Sequence, residues 1–221
     1  MTYREYAARV ESVTAVLAGL GIGPGDVVVA QLPNWWQLNA VVLACARLGA
    51  VAAPVVTTIR ARELELMLSR LAPVAYVTAR VWDGYEHAAV LASIAGRLPA
   101  VRHRIIVGGH AGAGEIDLDQ RVGRVPAGAP RITPPADDRA EDPDRVSIVL
   151  FTSGTTGAPK AVLHSFNTFY ASYRITGARA ALSSRDVLFT PHAVGHVLGL
   201  HMVNMLPLYL GAQAWRRAGS R

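Results

Sequence analysis

From Val146 to Ser165 the chain reads VSIVLFTSGTTGAPKAVLHS. Ile148 to Thr152, with Ser147 before it, is dense in β-branched and aromatic side chains and predicts a buried strand. The strand stops at Ser153, Gly154, Thr155, Thr156 and Gly157, where two glycines free the backbone for positive φ and close approach to a ligand. Three hydroxyl side chains and successive backbone N–H groups there can line a concavity suited to an anion. Lys160 adds a cation within reach of the same loop. The physical reading is a polyphosphate cradle. It is not the common G-x-x-x-x-G-K-[ST] loop, because the second glycine comes too early after Gly154 and Ala161 follows the lysine.

Working outward, Lys160 is the sole lysine among 22 basic residues, a compact ammonium kept where a phosphate needs a point charge. The 221 residues are 51% apolar and 17% charged, enough for a substantial core in one or two compact units. Net charge is +6 and the sequence pI is about 10. The arginines are scattered and not interleaved with aromatics, which argues against nucleic acid and for attraction of anionic substrates. Cys45 stands alone among apolar neighbours, so it reads as a small core residue with no disulfide or thiolate metal site. No signal-peptide block opens the chain, and a cytoplasmic location is expected. The apolar stretches 38–56 and 194–212 are interrupted by Arg47, Gly49 and Pro54 and by His196, His201, Asn204 and Pro207, so neither reads as a transmembrane span.

The rest alternates. Thr2 and Glu5 have capping-box form before a helical stripe of Tyr6, Val10, Val13, Leu17 and Leu20. Strands are expected at 27–30, 51–56, 74–77 and 104–107. Helices are expected from Asn34, as N-cap, to Leu48, at 60–71 and around 85–97. After the phosphate loop come a helix at 167–181, a strand at 187–189, a buried helix at 198–210 and a strand start at 212–215. This pattern predicts an α/β fold, a parallel-rich sheet flanked by helices. The predicted organisation is a first α/β portion over 1–107, a flexible Gly/Pro/acidic connection over 108–145 with at most a short helix near 116–122, and the phosphate-loop strand with a following α/β segment over 146–221.

The run TSGTTGAPK from Thr152 to Lys160 resembles the phosphate-loop signature of the AMP-forming adenylating enzymes, which include acyl-CoA synthetases, luciferases and peptide-synthetase adenylation domains. TYRE at the start, GDVVVAQLPNWWQ from Gly25, LACARLGAVAAP from Leu43 and EDPDR before the phosphate strand are similar to the same superfamily. The Leu32-Pro33-Asn34-Trp35-Trp36 segment is most similar to synthetases of short- and medium-chain or alicyclic acids, although both tryptophans read as packing residues at a helix start. The resemblance implies a two-step ligase. A carboxylate attacks the ATP α-phosphate, giving an acyl-adenylate and pyrophosphate, and the CoA thiol then displaces AMP. Thr152, Ser153, Gly154, Thr155, Thr156, Gly157 and Lys160 match positions that contact the β- and γ-phosphates, with Mg²⁺ neutralising charge.

His196 matches the histidine of the family's Pro-x-x-His-x-x-Gly segment beside the acyl pocket, with an interval from Pro191 about two residues longer than usual. His192, His196 and His201 also invite a zinc reading. However, the zincin glutamate is missing and Gly195 discourages a continuous helix, so pocket-lining histidines are expected and no metal site is assigned. His164 begins a segment similar to the family's His-Thr-His-Asn, with Phe166 and Ala161 departing from it. Family members are usually more than twice as long, and their adenine-binding, ribose-binding and hinge segments and C-terminal domain have no counterpart here. The expectation is therefore an N-terminal fragment of an acyl-CoA synthetase of fatty acid or lipid metabolism, incomplete in its subdomains and inactive alone, with an open sheet edge. The alternatives are a nucleotide- or phosphate-binding module completed by a second polypeptide, or a non-enzymatic interaction protein. Aryl ligation and peptide-synthetase adenylation remain open within the family.

Overall fold

The computed structural model describes residues 1–126, 142–152 and 159–216, with residues 215 and 216 described as backbone alone. Helix α1 (Tyr3–Gly19) opens with the anticipated reciprocal cap: Thr2 Oγ1 accepts from Glu5 N–H at 3.2 Å, and Thr2 N–H donates to the Glu5 carboxylate at 2.7 Å. Its buried stripe of Val10, Val13, Thr14 and Leu17 packs on α2 (Trp36–Leu48), whose residues are buried almost all round. Gly49 closes α2 in the left-handed conformation at φ 71°. Cys45 lies fully buried in α2, and burial pushes its thiol up to about 12, so it is an inert core residue.

Strands β1 (Val27–Gln31), β2 (Val51–Pro54), β3 (Ala75–Ala79) and β4 (His103–Val107) run parallel, joined through α2, α3 (Ala61–Leu71) and α4 (His87–Ala95). Two further strands were not anticipated. β5 (Glu115–Asp117) pairs with β4 just before a short helix, α5 (Leu118–Gly123). β7 (Lys160–His164) returns antiparallel to β6 (Ile148–Thr152). The order is β5-β4-β3-β1-β2-β6-β7, so β6 and β7 extend the sheet begun by residues 27–107. Strand alternation divides the core in two. Val28, Ala30, Ala52, Val77, Ile105, Ile148 and Leu150 face α1 and α2, while Val29, Ala53, Tyr76 and Val149 face α3 and α4.

Ser165 caps α6 (Phe166–Arg179), and β8 (Val187–Thr190) pairs in parallel with β9 (Gln213–Arg216) as a separate two-stranded sheet. The single helix expected over 198–210 is broken in character. α7 (Val197–Leu200) passes into a π-helical turn (His201–Met205) and then α8 (Leu206–Leu210). Pro207 has no N–H to return to Val203 O, and Leu206 N–H bonds His201 O, five residues back. Among the described residues no helix is long and apolar enough to cross a membrane.

Asn34 is not the cap of α2. Trp35 occupies that position without a side-chain hydrogen bond. The Asn34 amide instead donates to His192 O at 3.0 Å and accepts from Val194 N–H at 2.8 Å. Trp35 and Trp36 pack as read, Trp35 edge-on to Trp82 at 5.5 Å and Trp36 beneath the Arg9 guanidinium.

Two devices fix the end of β2 and the turn after it. Gln31, buried at the end of β1, donates through Nε2 to Val56 O (3.1 Å) and Ile59 O (3.0 Å). Its Oε1 accepts from Tyr76 OH at 2.6 Å and lies 3.4 Å from His87 Nδ1. On the other side Gly195 lies flat on the chain: a Cβ there would stand 2.6 Å from Val55 C and Val56 N.

Burial, with the nearby Arg60 charge, holds His87 at about 4 against an ordinary value of 6.5. Below pH 6.5 the unfolded chain takes up a proton that the folded chain refuses until about pH 4. Stability is therefore expected to fall as pH drops from 6.5 to 4, by on the order of 3 kcal/mol. Urea midpoints across that window, compared with those of His87→Gln, check this; an equally steep loss in the variant would assign the slope to other groups. Gly195→Ala is expected to destabilise by about 1–3 kcal/mol, since backbone must shift to admit the methyl. Gly19→Ala, with nothing within 4 Å of its new Cβ, is the control expected to cost nothing.

Candidate functional site

The sequence-predicted phosphate loop is the connection of a β-hairpin. Thr152, the last residue of β6, and Lys160, the first of β7, are partners in the antiparallel ladder, and both are exposed. Ser153, Gly154, Thr155, Thr156 and Gly157 lie outside the described residues. Directly opposed residues in an antiparallel pair project to one face, so Thr152 and Lys160 stand side by side at the mouth of the loop. The pairs Leu150–Val162 and Ile148–His164 continue the same face inward. From α3, the Arg70 guanidinium donates to Pro159 O at 2.9 Å, tying the return limb of the hairpin to the body of the sheet.

That face of the hairpin borders a cleft of about 710 Å³ at the carboxyl ends of β2 and β6. Its floor is apolar: Pro54, Val55, Val56, Ile59, Met67, Leu150 and Val162. The polar groups in its wall are few, namely Thr152, Glu63, His164 and His196. Mostly apolar cavities with a few placed polar groups at strand carboxyl ends are where α/β folds bind small molecules. Burial holds His164 below the ordinary histidine value, so its imidazole is uncharged at neutral pH; its ring lies 4.9 Å from Phe169.

The three clustered histidines separate. His196 precedes α7 as its N-cap, Nδ1 accepting from Leu198 N–H at 3.3 Å, which leaves Nε2 to carry the proton in the neutral ring. His192 stacks near it, ring centroids 6.3 Å apart, on non-helical chain. His201 turns away into the core beside Tyr173 and Ser172 Oγ, where burial lowers its pKa. The i,i+4 relation of His192 and His196 is therefore not a helical one. Among the described residues no three His, Cys, Asp or Glu side chains gather to hold a metal.

The structure places Thr152 and His196 in the wall of one cleft, with Lys160 opposite Thr152 in the ladder, and adds groups that sequence reasoning missed. Gln31 sets the Val56–Ile59 lip, and Asn34 holds the segment leading to His196. One signal for Gln31 was present: a lone amide ending the apolar run of β1. Arg70 and Glu63 carried none, since both sit on the polar side of an amphipathic helix.

A sequence model of the family described as AMP-binding enzyme matches residues 1–218. The chain is 34% identical over 191 residues to a 2-hydroxy-7-methoxy-5-methyl-1-naphthoate–CoA ligase of Streptomyces carzinostaticus, covering 86% of this chain and 34% of that protein. It is 31% identical to a medium-chain fatty-acid–CoA ligase of Escherichia coli (strain K12), covering 88% and 33% respectively. It thus spans about a third of the length of these relatives. In fold it is similar to an anthranilate–CoA ligase crystallised with anthranoyl-AMP, with TM-score 0.86 at 21% identity over 96% of this chain and 39% of that one. It is likewise similar to the N-terminal domain of FACL13 from Mycobacterium tuberculosis, with TM-score 0.83 at 24% identity over 100% and 51%. The family match covers nearly the whole chain, and the chain belongs to the AMP-binding enzyme family.

Proposed function

We propose that this chain is the triphosphate-gripping portion of an AMP-forming ligase that activates a carboxylic acid for transfer to CoA. The observation that carries the reading is the pairing of Lys160 opposite Thr152, a residue of the cleft wall, at the last step of the hairpin ladder. A triphosphate lying along Ser153, Gly154, Thr155, Thr156 and Gly157 would meet that ammonium, while an acid in the cleft would point its carboxylate toward the same mouth. The acid oxygen attacks the α-phosphorus, and the bond to the pyrophosphate oxygen breaks. The thiol of CoA then attacks the acyl carbon and AMP leaves. The loop and Lys160 hold the β- and γ-phosphates in line and stabilise departing pyrophosphate; they form no covalent bond.

ATP enters as its magnesium complex. Bound with the nucleotide, the ion would supply neutralisation of phosphate charge; among the described residues no three His, Cys, Asp or Glu side chains gather to hold it independently. The apolar floor favours a hydrocarbon or aromatic acid, with His196 at its wall, and short- to medium-chain or alicyclic acids are the preferred class. The compartment that supplies ATP and CoA, the cytoplasm, is the proposed location.

By itself the chain is proposed to bind without turning over. A second reading, a module completed by another polypeptide, is favoured by the apolar side chains left open on β7 and β8: Leu163 is 61% exposed and Val187 59%.

Titration calorimetry with MgATP is expected to show binding that Lys160→Ala weakens roughly ten- to hundredfold, the worth of one charge-assisted contact. Equal affinity in the variant would sink the assignment of Lys160. ATP–pyrophosphate exchange with octanoate is expected to stay at background for the chain alone. Measurable exchange would overturn its inactivity, and exchange appearing only with a co-expressed polypeptide would establish the second reading.

A further inference from the structure

We infer that Asn34 is a positioning residue for the histidine wall of the cleft, acting through the backbone of the segment that carries His196. Asn34 sits in the turn between β1 and α2, more than 150 residues earlier in the chain than the segment it grips. Its carboxamide makes the two bonds a neighbouring strand would make, donating to His192 O at 3.0 Å and accepting from Val194 N–H at 2.8 Å. One planar side chain thus takes the place of a peptide group and fixes the backbone on both sides of Ala193. Val194 is fully buried, so without Asn34 its N–H loses a partner that water cannot readily replace.

From that grip the geometry runs directly to the imidazole. His196 N–H bonds Ala193 O at 3.0 Å, and Leu200 N–H bonds His196 O at 2.9 Å, locking His196 between the gripped residue and α7. Two glycines remove the remaining freedom. Gly195 abuts the Val55–Val56 backbone, and a Cβ at Gly199 would stand 2.1 Å from Ala193 O. Asn34 reaches the segment through its side chain from a distant part of the chain, so it can be altered without touching the segment's own backbone. It lies outside the lining of the cleft. The inference deepens the reading of the cleft as the acid site and rests on it for the purpose of the device.

Hydrogen exchange and proton NMR of the intact chain test it. In Asn34→Ala the Val194 and His196 amides are expected to exchange at least tenfold faster and the His196 Cε1–H resonance to shift, while the α2 amides from Leu38 to Leu48 keep their rates. Asn34→Asp keeps an acceptor for Val194 N–H but loses the donor to His192 O. It is expected to restore Val194 protection and to return the His196 resonance only part of the way. Unchanged Val194 exchange in Asn34→Ala overturns the inference, as does equal loss of protection in α2, which would make Asn34 a general stability residue. Neither readout needs a ligand, so a failure here is distinguishable from a failure of the cleft to take an acid.

Discussion

Parallel pairing of β6 against β2 is the constraint on which the rest of the molecule depends. It joins residues nearly a hundred positions apart, with Ala52 in register with Ile148 and Ala52 N–H bonded to Ser147 O at 2.9 Å. Closing so long a loop is entropically unfavourable, and the single ladder step is a small return. Arg145 adds to that step. Its guanidinium donates to Gly49 O at 2.9 Å and Ala46 O at 3.4 Å, at the carbonyl end of α2 where the helix dipole favours a cation. The chain entering β6 is thereby anchored to the helix leading into β2. Once β6 is seated, the hairpin, the cleft and the placement of Thr152 beside Lys160 all follow.

What the sequence made legible was local. The Thr2–Glu5 cap, the Gly49 terminus and the alternation of short apolar runs with amphipathic helices each depend on residues within a turn or two. Where the partner lay far away, the reading failed. Asn34 stands before an apolar helical run, the same local signal as an N-cap, and only the arrival of His192 and Val194 from the far part of the chain redirects its amide. β7 was missed for a related reason. Lys160-Ala161-Val162-Leu163-His164 is short and exposed on an edge, and it becomes a strand because β6 is beside it. β5 has three residues and exists as a ladder step on β4.

The site divides along the same line. A run of hydroxyl and glycine residues ending in Pro159-Lys160 reads as a phosphate cradle from composition, while the loop itself, residues 153–158, lies outside the described residues. Which histidine joins it is not a local matter. His192, His196 and His201 are close in sequence, yet the non-helical chain before α7 and the π-helical turn after it send His201 into the core and His196 to the cleft. Spacing suggested a cluster, and backbone geometry dispersed it.

The distribution of charge around the hairpin gives the cleft a direction. Arg70 meets the return limb at Pro159 and Lys160 opens β7, so two cations flank the loop mouth, while the inner face through Leu150 and Val162 is apolar. His164, deeper on that face, is kept neutral by burial and offers no competing positive charge. An amphiphilic anion entering such a cleft is sorted by desolvation and field together: its hydrocarbon end gains by leaving water at the floor, and its charged end gains only at the mouth. Orientation of this kind does not require recognising the acid in detail. On the proposed reading it would set which end of an acid meets the loop between Thr152 and Lys160, and would leave the choice among acids to the shape of the floor.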